Sequence, residues 1–459
     1  MRKLLLLLFL ARAACASTTI TLLHFSDYHS HVLPFYSEDK ASQGGIARAI
    51  GYMKREHARG ALVFSGGDMI NKGSPAWSDK YGCAEWPWLN GVVDAMALGN
   101  HDTDYGFAAF TKCRAELTYP ILSANTNGFQ RYEIFTRHHV RIGVFALAGP
   151  DFKSLVKTPE LTFTDSVAAA REVVRILREK EHVDLVIMIG HEHTVDDHAL
   201  AAAVPGINFI FGTHSHEKHA LTRIGDTTTW FMAPYQYLTY ISRLTLVFNG
   251  HDLVSWSGSL IPVDNHMRAD KVIATRVARM QRELEHDPQY ASLFTPIATL
   301  DAALSVDGLG MLAVTEMAEA AHAAFAFSTI SSFRQPLPPG TVTMEDLRAA
   351  LPYDNEVVVC TMTGDEIWKL RSLVREPCVL YSVALWGENI EPKKTYRVAT
   401  TDYAAGAIRG KFNCEPEKTG VRVRELVRQA LAQSHPFSRA IRAASIRFAA
   451  PNLLIASDR

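Results

Sequence analysis

The sequence predicts an α/β fold of α+β layers, in which helices flank the sheets of a first domain and a smaller α/β domain follows, joined by a helix. Three observations predict it. Short β-branched and aromatic runs alternate with helical stretches through the first half. Five of these runs end in Asp, Asn or His, usually through a glycine. After Pro262 the pattern gives way to one strongly charged helical stretch and then to a second set of elements. With 459 residues the chain is long enough for two or three cores, and 47% hydrophobic with 21% charged residues is ordinary for a globular protein.

The N-terminus reads as an export signal over residues 1–16. Arg2 and Lys3 give the positive start, Leu4 to Leu10 an apolar stretch, and Ala14-Cys15-Ala16 a small-residue cleavage site. Cleavage and release is favoured over lipid anchoring through Cys15, because Arg12 stands where a leucine would be expected. The apolar run is far short of the roughly 20 residues of a membrane span, and no later segment is long and apolar enough. The expected location is therefore periplasmic or extracellular.

From residue 17 to 263 the strands are expected at Ile20–Phe25, Ala61–Phe64, Arg141–Leu147, Asp184–Ile189 and Ile207–Phe211. Within Asp165–His182, Val167, Ala170, Val173, Val174 and Leu177 form one helical face. Trp230–Met232, Tyr240–Phe248 and Leu253–Ile261 read as an antiparallel meander completing the domain. Residues 264–293 form the linker; in Arg268–His286 a narrow stripe of Ile273, Val277, Met280 and Leu284 predicts a long, mostly exposed helix. The second domain is 294–459, with capping-box patterns at Thr343…Asp346 and Thr363…Glu366.

A net charge of −1 removes any global argument for nucleic acid or an anionic membrane as partner. Apart from Cys15 there are five cysteines, an odd number; Cys83 with Cys113 and Cys378 with Cys414 are candidate pairs, and none has the CxxC spacing of a structural zinc site. The 19 histidines fall in tight clusters, which directs the search towards metal.

The five blocks are Ser26-Asp27-Tyr28-His29, Gly66-Gly67-Asp68, Gly99-Asn100-His101-Asp102, Gly190-His191-Glu192-His193 and Gly212-Thr213-His214-Ser215-His216. In an α/β sheet the carboxyl ends of the strands form the ligand crevice. A lone Asp-x-His would be a loop-capping pair and a lone Gly-Asn-His-Asp a turn. Five such ends delivering Asp, Asn and His to one rim read as a metal cluster. Hard oxygens with borderline imidazole nitrogens and no thiolate suit two divalent ions of zinc, manganese, iron or cobalt. An aspartate bridging them would set them roughly 3.5–4 Å apart.

In this order the blocks resemble the calcineurin-like metallophosphoesterases. Val92 to Gly106, read as VVDAMALGNHDTDYG, and Pro120 to Asn125, read as PILSAN, resemble the 5′-nucleotidase and UDP-sugar hydrolase branch, whose fold is a β-sandwich flanked by helices with a C-terminal substrate domain. The resemblance implies that Asp27, His29 and His216 hold the first metal, that Asn100, His191 and His214 hold the second, and that Asp68 bridges them. It makes His101 the residue that stabilises the transition state or protonates the leaving oxygen, with Asp104 orienting its ring. A carboxylate on one imidazole nitrogen fixes the tautomer and raises the basicity of the other. His193, His198 and His219 are read as surface or outlying histidines, and His57, His138 and His139 as solvated.

Leu351 to Val359 with Met362 to Glu366, and Lys394 to Tyr403, resemble segments of the same branch's substrate domain. The resemblance implies that Tyr353 and Tyr403 stack on a nucleobase and that Arg334 reaches the phosphate; without it, both tyrosines would be read as core residues. Three positions depart from the family pattern: Ile330 to Phe333 replace glycines, Met311 stands where Asn or Arg is usual, and Gly406-Ala407-Ile408-Arg409 replaces a Gly-Gly-Asp-Gly stretch. Arg409 is a candidate for meeting an additional substrate charge.

The expected activity is hydrolysis of nucleotides or related phosphate esters by metal-activated water, on a small-molecule substrate and with no nucleic-acid partner. The alternatives are a non-catalytic ligand-binding protein on the same scaffold, or a hydrolase of 2′,3′-cyclic nucleotides, nucleotide sugars or sulfur esters. The presence of all seven ligands and of the His101–Asp104 pair favours the hydrolase. With metals on one domain and the base clamp on the other, closure about the Arg268–His286 helix is expected during turnover.

Overall fold

Strand periodicity and a second change of pattern account for the main layers. A computed structural model describes residues 17–372, 380–384, 390–408 and 415–432. It divides into two compact units. One comprises Met1–Leu33, Gly44–Asn71 and Gly82–Ala274; the other comprises Pro34–Gln43, Lys72–Tyr81 and Thr275–Arg459.

The first unit contains two six-stranded sheets. In one, Thr18–Phe25, Leu62–Ser65, Ala95–Ala97 and Ile121–Leu122 run parallel as neighbours, and Tyr240–Asn249 pairs antiparallel on the other side of Thr18–Phe25, followed by Asp252–Pro262. In the other, Val140–Phe145, Leu185–Met188, Phe209–Phe211 and Trp230–Pro234 are parallel neighbours, closed at the edges by antiparallel Tyr132–Arg137 and Lys218–Arg223.

Alternation along the strands fixes which layer each side chain joins. Leu185 and Ile187 face a shared core with Ile20, Leu22, Leu62 and Phe64 of the first sheet. Val186 and Met188 face outward, where Ala170, Val173, Val174 and Leu177 of the helical stretch from Ser166 cover them. Sheet packs on sheet, and helix on sheet, because these strands are apolar on both faces. Asp165 caps that helix, accepting from the Ala168 N–H at 2.7 Å. The α/β class, the sandwich and its flanking helices agree with the sequence expectation.

One expectation fails. Trp230–Pro234 is not part of a meander with Tyr240–Asn249 and Asp252–Pro262; those two form a hairpin in the first sheet, whereas Trp230–Pro234 lies in the second. Its parallel register with Phe209–Phe211 (Ile210 opposite Phe231) places it there. The chain then crosses between sheets through Tyr235, Tyr237 and Leu238, all with positive φ. Such a crossing has no signature in hydrophobic alternation.

The helix Lys271–Glu285 buries the stripe read from the sequence, Ile273, Val277, Met280 and Leu284, and little else. In the second unit a five-stranded sheet has Phe325–Thr329, Thr395–Thr401 and Glu356–Thr363 at its centre. Helices Val306–Ala320 and Val423–Ala432 share one core with it, and Gly364–Ser372 and Asp402–Ile408 share the other.

Cys83 and Cys113 form a disulfide, as the sequence allowed, and Cys360 is also disulfide-bonded; Cys378 and Cys414 lie outside the described residues. Both capping boxes are formed. Thr343 N–H donates to Asp346 Oδ2 at 2.8 Å and receives the return bond on Oγ1 at 3.2 Å. Thr363 and Glu366 repeat the pattern at 2.9 and 3.3 Å. Thr343→Ala should lower unfolding stability by about 1 kcal/mol in urea melts followed by circular dichroism. An unchanged midpoint would mean that the cap adds nothing to the unit.

Candidate metal centre

Five parallel-strand carboxyl ends carry the sequence-predicted ligands. Asp27 and His29 follow Thr18–Phe25, Asp68 follows Leu62–Ser65, Asn100 follows Ala95–Ala97, His191 follows Leu185–Met188, and His214 and His216 follow Phe209–Phe211. The first three strands are neighbours in one sheet and the last two neighbours in the other, so the ligands come from both halves of the sandwich.

Two groups form. Asp27, His29 and His216 offer ligand atoms that all lie within 4.8 Å of one another, and so do Asp68, His191 and His214. His216 Nε2 is 3.3 Å from Asp27 Oδ1 and 3.1 Å from His29 Nε2. Asp68 Oδ2 faces both groups, 3.6 Å from His29 Nε2 and 3.2 Å from His191 Nε2. Asn100 is buried, with no hydrogen-bond partner for its Oδ1. Its neighbour His101 donates its backbone N–H to Asp68 Oδ1 at 2.8 Å.

The imidazole tautomers are set from behind. His191 Nδ1–H donates to the Gly66 carbonyl at 2.7 Å, and His29 Nδ1–H to the Ile70 carbonyl at 3.2 Å. Each Nε2 is thereby turned inward. His191 Nε2 and Asp27 Oδ1 are buried without a hydrogen-bond partner. Lone pairs and carboxylates converging away from water are unfavourable unless a cation lies between them, so this donor set fits divalent metal.

Electrostatics point the same way. Burial raises the pKa of Asp27 and Asp68, but His216 and His191 respectively more than offset it and hold both well below the carboxylate range. Burial pushes His29 well below its ordinary value and His214 down to about 4, so both rings are neutral. His191 is opposed by burial yet raised to about 9 by the Asp68 and Asp27 carboxylates.

Five ligands have left-handed backbone: Asp27 (φ 51°), His29 (47°), Asp68 (51°), His214 (57°) and His216 (53°). Each such residue costs about 1–3 kcal/mol and persists only where its surroundings over-determine it. Here Asp27 N–H bonds to Gly67 O at 3.1 Å, His29 N–H to Asp68 O at 2.9 Å, and Tyr237 N–H to Asp27 O at 2.8 Å. Glycine is required beside them: a Cβ on Gly99 would stand 2.1 Å from the backbone nitrogen of Asp68.

His101 Nδ1 and Asp104 Oδ2 are 2.8 Å apart, and the His101 ring meets that of His29 edge-on, 5.3 Å between centroids. Asp102 of the same block is structural. Its two carboxylate oxygens accept the backbone N–H groups of Met69 and Gly99, both at 2.8 Å, tying the Asp68 loop to the Asn100 loop.

Two residues of the centre had no place in the sequence reading. Tyr237, from the sheet crossing, lies edge-on to His29 and His216 and stacks on His31 at 3.6 Å. Asp151 accepts from His214 at 3.0 Å and lies 3.2 Å from His193. Neither lies in a ligand-like motif; Asp151 stands as an ordinary loop aspartate before a four-residue helix, Phe152–Leu155. His193 is therefore attached to the centre although its side chain is 45% exposed. His198 packs on Phe231, and His219 pairs with Glu217 at 2.7 Å.

The substrate residues expected from the sequence lie in the second unit. Tyr353 is 37% and Tyr403 54% exposed, so neither is a core residue. Val357 pairs with Thr401, which brings the loop before one strand and the helix after the other to the same sheet end. Asp402 Oδ1 joins them, accepting from Glu356 N–H and Tyr403 N–H. Arg334 donates to Tyr353 Oη at 3.1 Å. Its loop is anchored, rather than glycine-rich, by the buried Phe333. Met311 packs against the unit's core, and Arg409 lies outside the described residues.

The calcineurin-like phosphoesterase family model matches residues 20–218, and the 5′-nucleotidase C-terminal domain model matches residues 294–373. Protein UshA of Yersinia enterocolitica is 27% identical over 84% of this chain and 85% of its own length. The 5′-nucleotidase precursor of Thermus thermophilus has the same fold, with a TM-score of 0.73 and 20% identity over 91% of this chain and 96% of its own. The sulfate thiohydrolase SoxB of Thermus thermophilus follows at 0.70 and 20%, over 90% and 94%. The chain belongs to the calcineurin-like phosphoesterases that carry a 5′-nucleotidase C-terminal domain, and is a metal-dependent phosphoric ester hydrolase.

Proposed function

We propose that this protein is an exported two-metal phosphoesterase that hydrolyses nucleotides, with residues 294–459 supplying the substrate-binding domain. The observation that carries the reading is the pair of His/Asp groups sharing the Asp68 carboxylate. Asp27, His29 and His216 would hold one ion, Asn100, His191 and His214 the other, with Asp68 between them. When bound, two divalent ions supply charge neutralisation and a water acidic enough to act near neutral pH.

The chain's own groups do the rest. Asp104 holds His101 Nδ1–H, directing the opposite ring nitrogen to stabilise charge on the phosphoryl group or to protonate the leaving oxygen. The Arg334 guanidinium suits a phosphate oxygen, and Tyr353 and Tyr403 offer exposed faces to a flat base without reading its identity. The match to a 5′-nucleotidase C-terminal domain supports a nucleotide. The likeness to a sulfate thiohydrolase fold shows that the scaffold alone does not choose the ester. The Cys83–Cys113 disulfide supports an oxidising, extracytoplasmic location, and no helix among the described residues is long and apolar enough to cross a membrane.

Phosphate release should be measured on metal-reconstituted protein with AMP, other nucleotides, UDP-glucose, cyclic nucleotides and an aryl phosphate. His101→Ala should lower kcat about 10²- to 10⁴-fold while retaining both ions, and Asp68→Asn should lose metal as well as activity. Aryl phosphate cleavage without nucleotide cleavage would keep the chemistry and reject the substrate. Absence of turnover on every substrate with two ions bound would favour the ligand-binding alternative.

Tyr353→Ala and Tyr403→Ala should each raise KM for nucleotides roughly 2- to 10-fold, leaving aryl phosphate unaffected. Equal effects on both substrates would refute base stacking. Because the Asp68 and Asp27 carboxylates raise His191 to about 9 despite its burial, metal uptake must displace a proton from its ring. Affinity for divalent metal should therefore rise with pH up to about 9 and level off above it, with proton release in weakly buffered solution. Uptake independent of pH between 7 and 9 would contradict this.

A further inference from the structure

Asp151 occupies the N-cap position of the helix Phe152–Leu155 but makes no side-chain cap bond. An aspartate there would ordinarily accept from the helix's own N–H groups. Its Oδ2 instead faces two imidazoles, His214 Nε2 at 3.0 Å and His193 Nε2 at 3.2 Å, while Oδ1 is buried without a hydrogen-bond partner. The two rings lie 4.2 Å apart between centroids. The flanking backbone is fixed: Gly149 N–H donates to His191 O at 2.9 Å, and His191 N–H to Leu147 O at 2.8 Å. Phe152 meets the rings of His191 and His214 edge-on at 5.9 and 6.4 Å.

We propose that Asp151 is a positioning residue that selects the tautomer of His214 and so sets the affinity of the ion shared with Asp68 and His191, with His193 as the outer donor that holds the carboxylate in place. The proposal rests on the metal-centre reading above. An imidazole has one proton when neutral. If Nε2–H is given to Asp151, the lone pair is on Nδ1, and His214 can present it to a cation. Turning the ring or moving the proton would lose the Asp151 bond, so the carboxylate resists both. Behind a liganding histidine such a carboxylate also makes the ring a stronger donor. His193 reinforces this from the solvent side: its ring is anchored at Nδ1 by Ser215 Oγ, 3.3 Å away, and that same Oγ accepts the Thr194 N–H at 2.9 Å.

Asp151, His193 and His214 also offer three ligand atoms within 4.8 Å of one another. A third cation there would compete for Nε2 of His214. With Nδ1 already committed, the ring would have to give up its last proton, which a neutral imidazole does far less readily than it donates a hydrogen bond. Orientation is therefore the role this geometry favours.

The test is stepwise Co²⁺ titration of metal-stripped full-length protein, read by visible absorbance and by metal content, with thermal melts confirming folding. Wild type should bind two ions. Asp151→Asn keeps the shape but turns an amide towards the Nε2–H, and should weaken one ion about 10- to 100-fold while sparing the other. His193→Ala, at an exposed ring, should weaken the same ion by a smaller factor, and Asp151→Glu should recover part of the loss. Two ions bound by Asp151→Asn with wild-type affinity would overturn the proposal. So would three ions in wild type falling to two in His193→Ala, which would make the cluster a cation site. A wild-type protein that binds no Co²⁺ would overturn the metal-centre reading itself, a result distinct from either.

Discussion

The first unit is organised around buried lone pairs and negative charge that cannot satisfy one another. Asp27, Asp68, His29 and His191 are all nearly excluded from water, and their backs are already committed to backbone carbonyls and N–H groups. What remains points inward. The Asp68 and Asp27 carboxylates raise the pKa of His191 to about 9 against the opposing effect of burial, which offsets the conflict only in part. The strained backbone at five ligands, the glycine pressed against Asp68 and the two hydrogen bonds that Asp102 accepts from Met69 and Gly99 are what it takes to hold such groups together.

Layering serves that arrangement. Because strands in both sheets are apolar on both faces, the sandwich is rigid beneath the ligands and the helices are confined to its outside. In the second unit Tyr353 and Arg334 lie in loops and Tyr403 stands in the first turn of the helix Asp402–Ile408, both tyrosines exposed. Ahead of Arg334, Phe333 anchors its loop in the second unit's core.

Much of this was legible in the sequence because strand ends, glycines and ligand types are local signals. Ala61–Phe64 and Asp184–Ile189 could be placed within a residue or two, and Asp27, His29, Asp68, His191, His214 and His216 come together in two groups. The capping boxes were equally readable, being contained within four residues. What could not be read was long-range. Trp230–Met232 looks like any edge of a meander, and only its register with Phe209–Phe211 shows otherwise. Asp151 and Tyr237 owe their roles to contacts with other segments of the chain, Asp151 to His214, 63 residues on, and Tyr237 to His29 in the first block, and nothing in their neighbours announces them.

The distance between ligands along the chain has a consequence for assembly. His29 and His216, whose ring nitrogens are 3.1 Å apart, are separated by 187 residues. The full set of ligands cannot be gathered until the second sheet has followed the first, so the complete centre cannot template the earliest steps of folding. Once seated, an ion acts as a cross-link between the two sheets, and the protein's lifetime becomes tied to the local supply of that ion.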